Sequence, residues 1–278
     1  MIPFLVALIG SSIAAIWDLK TTEIPDIIPH LMIFFAIVYY VFIGYASGSF
    51  FLLSESLKYG FLLLFSGFGL YFLGQWGGGD AKLLSAISFL MPINFFGKNF
   101  FPFPLVFTFN LFVIGTVYIV VYAFVFSLKK RELWKFFMKE IRKSFKNIVV
   151  SSALTFVLLS AIGLSFLQYL LCLEFVILTS LIASVFTVFM FLIMIFLRVV
   201  ERYGFRKKIK LKDLKVGDVL LNSKVWEGVT KSKIRELKKT GKRYVWIKEG
   251  VRFGGAFPIA LIFSVFYGEF LFSLIFAF

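Results

Sequence analysis

The chain has 278 residues, 60% of them apolar and 20% aromatic, and carries 30 Lys and Arg against 15 Asp and Glu. A mean hydropathy of +0.93 lies far above the soluble average and excludes a water-soluble globular enzyme. The single cysteine, Cys172, excludes an intrachain disulfide and a cysteine-rich metal centre.

Apolar runs predict membrane helices near residues 2–17, 28–45, 57–74, 81–92, 103–127, 149–171, 174–197 and 256–276. The expected fold is therefore an all-α polytopic membrane protein of about eight spans, with six to eight compatible with the pattern. No run alternates with period two, which argues against a β-barrel. The first run has no Lys or Arg before it and no clear cleavage site, so it predicts a retained helix and not a removed signal peptide. Residues 1–127 form the expected membrane core. In 128–147, Leu133, Trp134, Phe137, Met138, Ile141 and Phe145 recur at helical spacing among Lys and Arg, the pattern of a basic amphipathic helix on the membrane surface. Two further membrane helices occupy 148–197. Residues 198–254 predict a small basic α+β domain, with short strands at Val219–Leu221 and Tyr244–Ile247 and a helix near 231–239 capped by Thr230. A final membrane helix fills 255–278.

Charge sets the expected orientation. With the N-terminus outside and eight alternating spans, 28 of the 30 Lys and Arg fall on one side, which by the positive-inside rule is the cytoplasm. Only Lys58 and Lys98 lie near the other face. The excess of positive charge thus reports topology and contact with anionic membrane lipids, and nucleic acid is not an expected partner.

Two aspartates stand out. Asp18 ends the first apolar run, and Asp80 follows Gly77, Gly78 and Gly79 at the start of the fourth. A carboxylate at membrane depth costs roughly 2.5–3.5 kcal/mol on insertion scales and persists mainly where it has a task. The predicted topology brings both to the cytoplasmic face. The fourth run offers about twelve residues before Pro92, roughly 18 Å of helix against a core of about 30 Å. The first, at most seventeen residues, gives about 25 Å. Short helices imply a water-accessible notch at the inner leaflet, with both carboxylates on its wall. The glycines tolerate unusual dihedrals and let another backbone approach, which suits an extended peptide beside Asp80; a tight interhelical turn uses glycine equally well.

Asp18-Leu19-Lys20-Thr21-Thr22-Glu23-Ile24-Pro25-Asp26 resembles the first aspartate motif of type IV prepilin peptidases, and Gly77-Gly78-Gly79-Asp80-Ala81-Lys82-Leu83 resembles their GxGD motif. The stretch from Leu211 to Ala256, with Leu214-Lys215-Val216-Gly217-Asp218 and Lys248-Glu249-Gly250-Val251, is similar to the C-terminal region of archaeal members, the preflagellin and prepilin peptidases. Presenilin-like enzymes also use a GxGD aspartate, but place the first aspartate mid-helix in a Tyr-Asp pair; Trp17-Asp18 followed by Ile24-Pro25-Asp26 favours the prepilin type. The resemblance implies a membrane aspartyl endopeptidase, with Asp18 and Asp80 as its catalytic pair. It implies pilin-like or archaellin precursors as substrates, cut on the cytoplasmic side between a short basic leader and an apolar helix. Bacterial relatives often add a cysteine-paired domain linked to N-methylation. This chain lacks it, so peptidase activity without methyl transfer is expected.

The residues point to the same chemistry on their own. Amide hydrolysis needs a base to activate water and an acid for the leaving nitrogen. Two adjoining carboxyls do not both ionise easily and hold one proton between them, a property of the pair. No cofactor or metal is called for: His30 reads as an interfacial residue, and no H-E-x-x-H spacing occurs. The competing reading is a proton-coupled transporter or channel that uses the carboxylates as a relay, but no internal repeat supports it. Glu23 and Asp26 form either a solvated turn or an acidic lip for a basic leader, and Lys82 either steadies Asp80 or anchors the interface. Gln75 and Trp76 can line the notch or belong to an interfacial belt. Glu174 reads as a loop charge, and Glu269 in the last run is given no catalytic part.

Overall fold

The computed structural model describes residues 1–95, 100–166, 173–215, 217–221, 228–239, 243–248 and 251–270. Lys98, Cys172, Val216, Glu249, Gly250 and the ends of the spans predicted at 149–171 and 256–276 lie outside the described residues. Helices α1 (Ile2–Thr21), α2 (Ile27–Ser47), α3 (Phe51–Phe72), α4 (Gly78–Leu90), α5 (Phe103–Lys129), α6 (Glu132–Phe166) and α7 (Leu173–Val199) follow in order. Then come β1 (Arg206–Lys210), β2 (Val219–Leu220), α8 (Lys231–Lys239), β3 (Tyr244–Lys248) and α9 (Ala256–Tyr267). Six of the described helices are long and apolar enough to cross a membrane. The protein is a multi-pass, all-α membrane protein with a small three-stranded sheet.

The chain divides into two units, residues 1–121 with 207–278, and residues 122–206. In the first, α4 is the centre. Every residue from Ala81 to Met91 apart from Lys82 is buried, packed by α1, α2 and α3. Its 13 residues give about 20 Å of helix, shorter than a hydrocarbon core of about 30 Å, in line with the shortness expected from Pro92. A helix ending in an apolar interior leaves carbonyls that need donors. Tyr40 of α2 donates its hydroxyl to the Leu90 carbonyl at 2.6 Å, and Ser56 of α3 donates to that of Phe89 at 2.7 Å. Small residues let α3 approach closely: a Cβ on Gly67 would lie 3.0 Å from the Ala81 backbone, and Ser85 donates to the Gly60 carbonyl at 2.9 Å.

α1 departs from expectation. It continues through Asp18 to Thr21, so the aspartate lies in its last turn and not beyond its end. Twenty residues give about 30 Å of helix, so the shortness that the apolar run suggested holds for α4 and not for α1. The reason is local. Leu19, Lys20 and Thr21 accept helical geometry, and the chain leaves the helix only at Thr22, which is left-handed (φ 63°) and donates its N–H to the Asp18 carbonyl.

α9 packs on α1, and Asn110 of α5 donates to Ser264 at 3.0 Å and to the Gly268 carbonyl at 2.9 Å. Glu269 receives the N–H groups of Phe100 and Phe101 at 2.8 and 3.2 Å, which gives this acid a structural role ahead of α5. The sheet has the order β1–β3–β2, with β2 antiparallel to β3 and Val219 opposite Lys248. Leu211, Leu214, Val245 and Ile247 form its core, covered by Ile234 and Leu237 of α8. Thr230 accepts the N–H of Lys233 at 3.3 Å, the N-cap expected there. In the Leu214–Asp218 motif, Gly217 is left-handed (φ +98°) and the Asp218 carboxylate accepts the Lys215 N–H at 2.7 Å.

In the second unit α6 and α7 run antiparallel, Gly163 meeting Val176 toward one end and Glu140 facing Arg202 at 4.0 Å toward the other. One unbroken helix of 35 residues covers both the basic amphipathic stretch and the membrane run that follows it. Nothing in the residues near Ile148 interrupts the helix: no Gly or Pro stands between Glu132 and Ala161.

Candidate active site

The chain between α3 and α4 builds one wall of the site. α3 ends in a Schellman turn, with Gly74 left-handed (φ 72°), the Gln75 N–H on the Leu70 carbonyl and the Gly74 N–H on that of Tyr71. Gln75 and Trp76 then lead to Gly77, the N-cap of α4. Asp80, at the third helical position, accepts the Gly77 N–H on Oδ2 at 3.2 Å, half of a capping box. The helix N-terminus is a favourable place for this carboxylate. A Cβ on Gly77 would sit 3.0 Å from Oδ2 and crowd it, whereas a Cβ on Gly78 would have ordinary room beside Tyr71.

α1 supplies the other carboxylate. Asp18 is 6% exposed and accepts the Gly254 N–H on Oδ2 at 2.8 Å. The segment that carries Gly254 also meets the other wall, since the Phe253 ring packs on Trp76 just before Gly77. So the two aspartates, 62 residues apart in sequence, share one site, each held by a backbone amide.

The loop after α1 closes on the start of α4. A Cβ on Gly79 would lie 2.8 Å from Cβ of Ile24 and 3.4 Å from its carbonyl oxygen, so the bare glycine backbone is what allows the approach. Lys82 pairs with Asp26 at 2.6 Å. Of the two sequence readings of Lys82, neither named this partner, and the ion pair takes up one of the two loop acids. Glu23, exposed, faces the small sheet unit, its Oε1 within 2.6 Å of where a Cβ of Gly217 would be. His30 turns back on its own helix, Nδ1 against the Asp26 carbonyl at 2.5 Å.

Trp76 packs against Phe112, Phe253 and Phe257, with ring centroids 5.5, 5.9 and 6.3 Å apart. It is half-buried and packs against the core beside the site. Gly254 and its neighbours are what sequence reasoning missed. The signal available was Gly254-Gly255 directly before the last apolar run, a second place where a backbone comes close to something.

Residues 5–120 match the model of the type IV leader peptidase family. Over 92 residues the chain is 36% identical to the preflagellin peptidase of Methanocaldococcus jannaschii, which covers 33% of this chain and 39% of that relative. The chain thus spans about two fifths of the length of the curated relative it matches. No solved structure matches it. Both aspartates and the glycines before Asp80 fall inside residues 5–120, the segment that is similar to the type IV leader peptidase family.

Proposed function

We propose that the protein is a membrane-embedded aspartyl endopeptidase that removes the short basic leader from pilin-like or archaellin precursors. The observation that carries this reading is that one short segment reaches both aspartates' surroundings: the Gly254 N–H meets Asp18, and the Phe253 ring packs on Trp76, next to the Gly77 whose N–H Asp80 accepts. The family match over residues 5–120 and the preflagellin peptidase relative support the substrate class. The cut falls at the cytoplasmic face, a side argued from the 28 of 30 Lys and Arg that the predicted topology gathers there.

The chemistry follows from two carboxyls and a water. The ionised aspartate takes a proton from the water, whose oxygen adds to the scissile carbonyl carbon. The protonated partner hydrogen-bonds the carbonyl oxygen as it gains negative charge. Collapse of the tetrahedral species breaks the C–N bond, and the proton held by the pair passes to the leaving nitrogen. One carboxyl of the pair is again ionised and the other protonated, ready for the next turnover. Of the three glycines expected to receive substrate, Gly78 leaves room for an extended peptide beside Asp80, whereas the space at Gly79 is taken by Ile24 and that at Gly77 by the Asp80 carboxylate. Glu23 supplies negative charge on the loop where a basic leader approaches, while Asp26 is paired with Lys82.

The test is purified protein in detergent mixed with a panel of pilin-like precursors, with leader removal followed by mass. Cleavage at the leader–helix junction by the wild type, and none by Asp80→Asn, is the expected result. Retained cleavage by Asp80→Asn would remove the pair from the mechanism.

A further inference from the structure

The segment from Arg252 to Gly255, between the sheet unit and α9, touches both halves of the site. Gly254 is buried, and its N–H reaches Oδ2 of Asp18 at 2.8 Å. Here the glycine is required by close approach, since a Cβ would lie 3.0 Å from both Cβ and Oδ2 of Asp18. One residue earlier, the Phe253 ring lies on Trp76, the residue directly before the Gly77–Asp80 run. The segment is clamped from behind. Tyr118 of α5 donates its hydroxyl to the Arg252 carbonyl at 2.9 Å. Gly115 leaves the space that the Phe253 ring fills, and a Cβ on Gly255 would meet the Tyr118 hydroxyl at 2.7 Å. Three successive residues thus have fixed seats, against Trp76, Asp18 and Tyr118 in turn.

The need for such a device is physical. Asp18 lies in the last turn of α1, where the helix carbonyls point toward it and disfavour negative charge. A buried carboxylate there requires donors, and a backbone N–H fixed at both sides is a rigid one. We infer that Gly254 is a positioning residue for Asp18, and that the Arg252–Gly255 strap sets the spacing of the two aspartates by holding one through its amide and the loop of the other through Phe253. This rests on the peptidase reading of the site. It makes the segment leading out of the small sheet unit part of the catalytic apparatus.

The experiment uses the full chain in detergent with a cleavable pilin-like precursor, and compares wild type, Gly254→Ala, Tyr118→Phe and Asp80→Asn. Gly254→Ala lowers kcat by about tenfold or more with KM within about twofold, because the substrate still binds but the carboxylate is displaced. Tyr118→Phe, which keeps the ring and frees the strap, lowers kcat several-fold in the same way, and it decides alone if Gly254→Ala does not fold. A merely structural role would lower the melting temperature and leave the kcat of the folded fraction unchanged; that result, or kcat of Tyr118→Phe equal to wild type, overturns the inference. If wild-type protein cleaves no precursor, the peptidase reading fails instead. The contact is then judged by amide exchange over 251–256, faster in Asp18→Ala if Gly254 is held by Asp18 and unchanged if it is not.

Discussion

Lys82 and Asp26 form an ion pair at 2.6 Å that ties the loop after α1 to the second turn of α4, across 56 positions of sequence. Asp18 lies eight residues before Asp26 and Asp80 two before Lys82, so the contact is a brace across the site. It is partly solvated, with Lys82 26% and Asp26 63% exposed in their side chains.

Partly exposed pairs contribute about 0.2–1 kcal/mol to stability. Lys82→Met should therefore leave the melting temperature nearly unchanged while lowering kcat a few-fold. The charge-swapped double variant, Lys82→Asp with Asp26→Lys, should recover much of the loss. Kinetics of the two singles and the double, read as a mutant cycle, check this.

The loop acids divide their work. Asp26 is bound to Lys82, so Glu23 is the acid left to attract a basic leader. Glu23→Gln should raise KM for a lysine-rich leader more than Asp26→Asn does. The difference should shrink as salt rises, because attraction between exposed charges is screened over about 10 Å at 0.1 M. An unchanged KM for Glu23→Gln at low salt would remove the acidic loop from substrate capture.

Adjacent glycines should behave differently. Alanine at Gly79 must displace Ile24, whose Cβ would be 2.8 Å away, while alanine at Gly78 meets nothing closer than 3.8 Å. Overpacking of this kind costs about 1–3 kcal/mol. Gly79→Ala should lower both the melting temperature and kcat, and Gly78→Ala should leave stability close to wild type. Thermal unfolding in detergent, alongside turnover, separates the two.

The interior end of α4 depends on side-chain donors. Tyr40→Phe leaves the Leu90 carbonyl without the hydroxyl that now meets it at 2.6 Å. A buried polar group deprived of its partner costs about 1–3 kcal/mol, so Tyr40→Phe should destabilise by that order. Ser56→Ala should do the same through Phe89. Both lie far along α4 from Asp80, and kcat of the folded protein should change little.

The sequence made the helices legible wherever an apolar run was long. It also made α4 legible as short, because Pro92 restricts the residue before it and stops the helix at Leu90. The end of α1 was less legible, since Asp18 and Lys20 break the apolar run without breaking the helix. The separation of 128–147 from the span after it had the same origin, a change of polarity inside one continuous helix. β1 escaped notice because Arg206–Lys210 reads as a basic run with one apolar residue, and its place comes from pairing with β3. The two aspartates were found from their rarity in apolar sequence. Their partners were not, because Gly254 is 236 residues from Asp18 and offers only a backbone N–H, which no residue type advertises. Glu269 was equally opaque: it meets two amides of the chain ahead of α5, a contact set by tertiary packing alone.

The most direct measurement is the rate at which purified protein removes the leader from a pilin-like precursor, taken for wild type, Asp18→Asn and Asp80→Asn at equal amounts of folded, membrane-inserted protein. Each single amide substitution should reduce cleavage to background while thermal unfolding shows an intact fold. Substantial leader removal by either variant would contradict a mechanism in which both carboxyls act on one water.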